Sequence, residues 1–531
     1  MTSIQKSGIA LFITAFLCFI ASLGMGKYII SNEIIDKTID NSYHKTAVKI
    51  TTSKLIGKEF NSNITFIKEL NKSIKEAKDI QEEAFKNGKD AGVEEWKFKL
   101  SDYDVKNLAL KLTGYSQTGA LIANKFCWFL FIFGGGLLGA LLYILPKYKT
   151  LPGIKNNNIF FSPMHSRGWL GIIAGTFLIC FYIILYWYPE YLTSWIHLTD
   201  PFSLQLNGNV ASQWFLYGTL YTLCILVMGI RMILKYRHSK YQILRSGSVM
   251  FFQTCFAFLI PEILVRLNKP YFDFKNMWPL KYDFFFEWNI NTLSNSGQLG
   301  IFMLAWGIVL FIIGVPVFTY FFGKRWYCSW VCGCGGLAET LGDPYRQLSN
   351  KKLSAWKIER WMIHSVLVFA VIMTVLVLYT FFTGKSNILF LNSYDVRKWY
   401  GFMIGSVFSG VVGTGFYPFM GGRVWCRFGC PLAAYLGLVQ RFKSKFRITV
   451  NGGQCISCGN CSTYCEMGID VRWYAQRGQD IVRSSCVGCG ICSAVCPRGV
   501  LKLENASFDV KTRATELTTV HIKAEEIGIL H

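Results

Sequence analysis

Apolar runs close to the ~20 residues needed to cross a bilayer occur at 8–26, 126–145, 168–188, 212–234, 247–266, 299–322, 361–382 and 400–420, and they predict eight membrane spans. The first run has a long apolar core and no clear small-x-small cleavage site after it, so it reads as a signal anchor. Between the first two spans the pattern changes. Ile67, Leu70, Ile74 and Ala77 recur at helical spacing, while Lys75/Asp79 and Lys78/Glu82 stand four residues apart on other faces. Residues 31–125 therefore predict a mainly helical domain outside the bilayer. It carries no catalytic constellation and suits a cap or a docking module.

Composition agrees with a membrane chain: 52% of the 531 residues are hydrophobic and 16% charged. No G-x-x-x-x-G-K-S/T is present, which excludes a P-loop ATPase. The formal charge of +23 would suggest nucleic acid in a soluble chain, but loops retained in the cytoplasm collect Lys and Arg. The loops 147–167, 235–246 and 323–360 hold fifteen such residues, against six in 189–211, 267–298 and 383–399. The richer set is thus expected in the cytoplasm, with both termini, and 31–125 outside. The expected location is the bacterial cytoplasmic (inner) membrane, with no nucleic-acid partner.

Thirteen of the eighteen cysteines fall between 328 and 496, and 31–125 has none, so metal binding is expected and not a disulfide framework. Cys455-x2-Cys458-x2-Cys461-x3-Cys465 is followed by Cys486-x2-Cys489-x2-Cys492-x3-Cys496-Pro497. Three cysteines at this spacing wrap three corners of a cubane, and the fourth reaches the other cluster, as in bacterial two-cluster ferredoxins. The expected ligand sets are Cys455, Cys458, Cys461 and Cys496 for one 4Fe-4S cluster, and Cys486, Cys489, Cys492 and Cys465 for the other. Glu466 stands where proline would follow Cys465.

An internal repeat precedes this segment. Arg325-Trp-Tyr-Cys328-x3-Cys332 and Arg423-Val-Trp-Cys426-x3-Cys430-Pro431 are displaced by 98 residues, each directly after a span. On one helix, cysteines at i and i+4 share a face, so two pairs would offer four thiolates at the cytoplasmic membrane surface, with Cys334 as a fifth. Arg325 and Arg423 would favour thiolate over thiol. Two readings stand: a further iron-sulfur or copper site, or reduced cysteines at tight helix ends with the arginines acting only as positive-inside anchors.

The order of spans, the R-x-W/Y-C-x3-C and G-R-x-W-C-x3-C-P motifs and the double-cluster segment together resemble the membrane iron-sulfur (polyferredoxin-like) proteins of the NosR/NapH type. That group is related to the cytochrome oxidase accessory proteins of the CcoG type, which Cys465-Glu-Met-Gly-Ile-Asp-Val-Arg472 resembles in particular. The resemblance covers about 300–505 and implies electron exchange between quinone, cytoplasmic-side clusters and an extracytoplasmic reductase, or metal-centre assembly. Two departures stand out: Thr118-Gly119-Ala120-Leu121 lacks the acceptor threonine of a covalent FMN site, and Cys332 is followed by Gly333 and not proline.

No FMN is expected. Without C-x-x-C-H, and with only His364 inside a span, no haem is expected either, nor any nucleotide. Glu262 and Arg266 read as a satisfied interfacial couple or as a proton acceptor for quinol, the aromatic-rich loop 267–298 as an outer aromatic belt, and Gly134–Gly136 as close helix packing.

The fold expected is an α-helical polytopic membrane protein with an α+β two-cluster ferredoxin domain. Its parts are a signal-anchor helix (1–30), the extracytoplasmic helical domain (31–125), spans two to five (126–298), the NosR/NapH-like repeat of spans six to eight (299–447), the ferredoxin domain (448–505) and a tail (506–531). The function expected is electron transfer between the quinone pool, two 4Fe-4S clusters and a respiratory or reductase partner. The alternatives are a copper reductase or assembly factor and a redox sensor.

Overall fold

The computed structural model describes residues 1–86, 98–149, 168–388 and 391–505. The tail 506–531 and most of the loop 147–167 lie outside them. Among the described residues, seven helices are long and apolar enough to cross a membrane: Ser3–Gly24, Lys125–Lys147, Trp169–Trp187, Gln213–Lys235, Lys240–Arg266, Gly297–Phe322 and Leu353–Thr383. The eighth expected span, 400–420, is not among them. That stretch runs as an α-helix to Tyr400, a π-helix over Gly401–Val412 and short turns to Met420. Glycines at 401, 405, 410, 413 and 415 dilute its apolarity and loosen its helix.

By packing, the chain divides into two units: Met1–Thr150 with Cys180–Val227 and Phe258–Tyr271, and Leu151–Ile179 with Met228–Ala257 and Phe272–His531. In the first unit, Ser3–Ala21 lies against Gly135–Lys147. The closest approach is at Gly8 and Gly139, where a Cβ would come within 2.9 Å of the opposing backbone. Close packing was expected at Gly134–Gly136, but those three have only ordinary contacts or open space.

Between the first two of these helices, Asn63–Lys86 buries Phe66, Ile67, Leu70, Ile74 and Ala77, the face that the sequence periodicity marks, and Lys78 pairs with Glu82 at 3.8 Å. Ser31, Asn41 and Ser101 cap the helices around it through side-chain oxygens. The domain is not wholly helical. Lys27–Ile29 pairs antiparallel with Glu59–Phe60 on one side and Gln117–Thr118 on the other. Strands of two or three residues are too short for the alternation that reveals a strand in sequence.

The segment 189–211 is fastened to this domain. Asn71 Nδ2 donates to Glu190 Oε1 at 3.4 Å, Trp195 Nε1 to the Phe19 carbonyl at 2.6 Å, and Lys125 and His197 both hold Asp200. The Glu262–Arg266 couple is not formed. Glu262 accepts from Asn207 Nδ2 at 2.6 Å, and Arg266 donates to the Gln205 carbonyl.

In the second unit, the ferredoxin segment is closed by Phe446–Val450 paired antiparallel with Leu501–Asn505, Phe446 opposite Asn505 and Val450 opposite Leu501. Short helices Asn460–Thr463 and Ile491–Ala494 follow Gly459 and Gly490, at φ +80° and +73°. A left-handed residue is needed there to turn the chain after two cysteines, and glycine adopts it without steric cost.

Candidate iron-sulfur sites

The eight ferredoxin-segment cysteines line two separate cavities. One is lined by Cys455, Cys458, Cys461 and Cys496 with Ile456, Arg472 and Arg498. The other is lined by Cys465, Cys486, Cys489 and Cys492 with Ile448, Met467 and Ile481. Each encloses about 370 Å³ of empty space, part of it open to solvent. The fourth cysteine of each run thus lines the cavity of the other run.

The two cavities differ in setting. Cys458, Ile456, Arg472 and Arg498 at the first are exposed, whereas the loop around the second is pinned to neighbouring elements. Tyr241 Oη donates to the Gly488 carbonyl at 2.8 Å, Gln242 Nε2 to that of Cys489 at 2.9 Å, and Gln440 Nε2 to that of Cys486 at 2.9 Å. Burial pushes the Cys486 thiol up to about 11 and those of Cys461 and Cys489 up to about 12. Such thiols become thiolates only when a metal takes the proton's place, so four per cavity suit a cubane.

The two C-x3-C motifs are brought together. Cys328, Cys332, Cys426 and Cys430 are buried in one apolar core, and Cys334 packs against it. The pairs do not share a helix face, contrary to expectation. A short helix ends after the first cysteine (Arg325–Cys328, Val424–Phe428), and the second caps the next helix (Gly333–Thr340, Pro431–Lys443). Cys430 Sγ accepts from Ala433 N at 3.4 Å. A helix N-terminus favours negative charge, so this geometry serves a thiolate better than a shared face does.

The two arginines differ as well. Arg423, fully buried, donates to Cys426 Sγ at 3.7 Å and to the Cys328 carbonyl at 3.1 Å. Arg325 instead lies over the Phe446 ring and reaches Asn505.

Sequence reasoning missed a buried ionic network between these sites. Arg423 Nε pairs with Glu466 Oε1 at 2.9 Å, and Arg346 Nη1 with Glu466 Oε2 at 2.6 Å. Glu339 holds Arg423 and Arg245, while Asp343 holds Arg346, Lys235 and Arg231. Burial raises the carboxyls of Glu466 and Asp343, yet the flanking cations win and hold both below the ordinary range. Glu339, Glu466 and Cys489 place ligand atoms within 4.8 Å of one another, but the carboxylates are taken by arginines and do not suit a cation. Arg245 Nε has no acceptor among the described residues, and the charge of Arg245 acts on the Cys489 thiol and lowers it against the effect of burial. The only signal of this network in the sequence was Glu466 in the place of proline.

Two family descriptions match this half of the chain. Residues 304–355 and 401–449, which carry the C-x3-C motifs, match a 4Fe-4S binding domain, and residues 454–501 match a 4Fe-4S dicluster domain. The chain is therefore an iron-sulfur protein with helices suited to a membrane. It is similar to the putative electron transport protein YccM of Escherichia coli (strain K12), 27% identical over 158 residues. That match takes in 28% of this chain and spans less than half, 43%, of the relative. No solved structure matches.

Proposed function

We propose that this chain is a multi-pass electron carrier of the bacterial cytoplasmic membrane, exchanging electrons between quinol and cytoplasmic-side 4Fe-4S sites and passing them to a redox partner. One observation carries the reading. Twelve of the thirteen clustered cysteines, all but Cys458, lie in or against one continuous core. Clusters bound by the ferredoxin cysteines supply one-electron exchange. The protein's own part is to exclude water, supply thiolates and set their spacing. The name of the similar E. coli protein points the same way.

The details of site and topology draw on further features. Cys328, Cys332, Cys426 and Cys430 hold a further iron-sulfur centre, with Cys334 a spare sulfur beside it. The buried Nε1 of Trp425, next to Cys426, has no acceptor among the described residues and is available to a quinone carbonyl. The exposed Arg472 and Arg498 at the first cavity suit an acidic redox partner. The lysine- and arginine-rich loops support a topology with both termini in the cytoplasm.

Purified protein supplied with a quinol analogue tests this. Iron-sulfur signals should be reduced, and Cys426→Ser/Cys430→Ser should slow the response while the ferredoxin clusters stay assembled. A double variant reduced at the wild-type rate removes those cysteines from the path. If quinol reacts with neither form and the variant loses only stoichiometric Cu(I) binding, the chain is a copper-handling assembly factor instead.

A further inference from the structure

The C-x3-C cysteines follow directly on spans, and Ser329, next to Cys328, donates to the Val487 carbonyl of the ferredoxin segment at 2.8 Å, but other neighbours of these cysteines lie deep within helices. The Val331 carbonyl, beside Cys332, accepts from Gln253 Nε2 at 2.6 Å. Gln253 is the central residue of the 27-residue span Lys240–Arg266. On the other repeat, Tyr435 Oη donates to the Phe311 carbonyl at 3.2 Å. Phe311 is eleven residues, about three turns, from the ferredoxin-side end of Gly297–Phe322. Gly429, beside Cys430, abuts the Phe408 ring in the middle of the π-helix Gly401–Val412.

The opposite face reaches in to meet them. The segment 272–286, which joins two spans on the side away from the ferredoxin segment, is largely irregular. Irregular backbone at membrane depth persists only where protein covers it. Met277 is fully buried in the core that holds the cysteines. The Trp278 ring lies 5.2 Å from that of Phe311, and its Nε1 donates to Thr374 Oγ1 at 2.9 Å. Phe311 is thus touched by Tyr435 from one side and by Trp278 from the other.

On the ferredoxin side, Arg423 joins Cys426 Sγ to Glu466, whose neighbour in the chain is Cys465. We propose that Cys328, Cys332, Cys426 and Cys430 hold their metal centre inside the bilayer, and that this centre carries electrons across the membrane, with Arg423 positioning it against the Cys465 cavity. A hydrocarbon core of about 30 Å is too wide for one electron hop, and an intermediate centre divides it. The proposal rests on the metal-binding reading of these cysteines given above.

The test uses the full-length protein in quinone-free vesicles holding trapped ferricyanide, with valinomycin and potassium to carry compensating charge. Dithionite is added outside. Each dithionite anion takes up two waters and becomes two sulfites, releasing four protons outside and two electrons, and two ferricyanides inside become ferrocyanide. Wild-type vesicles should bleach at least tenfold faster than protein-free ones, and Cys426→Ser/Cys430→Ser should bring the rate to the protein-free level. Arg423→Gln, which keeps every cysteine and its iron, should slow bleaching at least tenfold.

Depth is read without electron flow. In Val331→Cys, N-ethylmaleimide should modify the new thiol in sealed vesicles, while a charged maleimide should fail from either side. Wild-type bleaching no faster than protein-free vesicles, full-rate bleaching by the double serine variant, or modification by the charged reagent overturns the proposal. Iron analysis separates the two readings. About twelve irons, at four per cubane, with no bleaching refutes the transmembrane path alone. About eight refutes an iron-sulfur centre at these cysteines and with it this proposal.

Discussion

Glu466→Gln is the sharpest perturbation of the buried network. Glu466 is fully buried, one oxygen on Arg423 at 2.9 Å and the other on Arg346 at 2.6 Å, and its carbonyl accepts from Ser349 Oγ at 2.8 Å. Removing one partner of a buried ion pair costs about 3–5 kcal/mol, because the remaining charge stays desolvated. Here each arginine keeps a second carboxylate, Glu339 for Arg423 and Asp343 for Arg346, and the amide still accepts one hydrogen bond. The loss should therefore sit near the lower bound, about 3 kcal/mol. That is roughly a 100-fold fall in the folded-to-unfolded ratio.

The assay is thermal unfolding in detergent at a fixed scan rate, since a protein of this kind unfolds irreversibly. A cycle with Arg346→Met accompanies it. Once Arg346 is gone, Glu466→Gln should cost less than it does alone. A Glu466→Gln protein that melts with the wild type, or two losses that simply add, would refute the coupling.

Three further outcomes are expected. Cys465→Ser should disturb the cluster signal attributed to Cys486, Cys489 and Cys492, and a disturbance confined to the Cys455 set would refute the crossed ligand assignment. A reporter active only outside the cytoplasm should work when fused after residue 100 or 200 and fail after 240, 345 or 520, and activity at 345 would reverse the topology. Burial raises the Glu190 carboxyl above its ordinary 4.5, so the folded state holds the proton more tightly and stability falls as pH climbs from that value through the raised one. Glu190→Gln should flatten this fall and raise the melting temperature at pH 7, and an unchanged pH profile would show that the carboxylate is solvated.

The spans were legible because unbroken apolarity over about twenty residues matches the thickness of a bilayer and is rare in water-soluble helices, which keep a polar face. The cavities were legible because cubane ligation fixes cysteine spacing. The broken stretch after Tyr400 was not, since glycine lowers apolarity and helix stability at once. The geometry of the C-x3-C motifs was misjudged for a related reason. Spacing of four is helical only if the helix continues, and here it ends between the cysteines. The small sheet around Lys27–Ile29 and the bonds of Glu262 to Asn207 and Arg266 to Gln205 depend on tertiary neighbours that local patterns do not encode. Arg245 and Lys235 were counted among the cations of the loop 235–246, yet both are buried.

That last difference changes the meaning of the positive charge. Arg231, Lys235, Arg245, Arg346 and Arg423 gather on three buried carboxylates, Glu339, Asp343 and Glu466. A buried charge is costly to leave without counter-charge, and the thiolates of a filled site would add anions to this cluster: Cys426 beside Arg423 and Cys489 within the field of Arg245. The arginines then act as built-in counter-charge, and they favour the reduced, more negative state of whatever these thiolates hold. Arg245→Met keeps the bulk and removes one positive charge, so reduction of the centre ligated by Cys489 should become harder. A tenfold change in that one-electron equilibrium is about 59 mV, within reach of an EPR-monitored redox titration. A lower potential with unchanged iron content is the expected result. A potential equal to the wild type's would mean that water, and not the arginines, balances the charge.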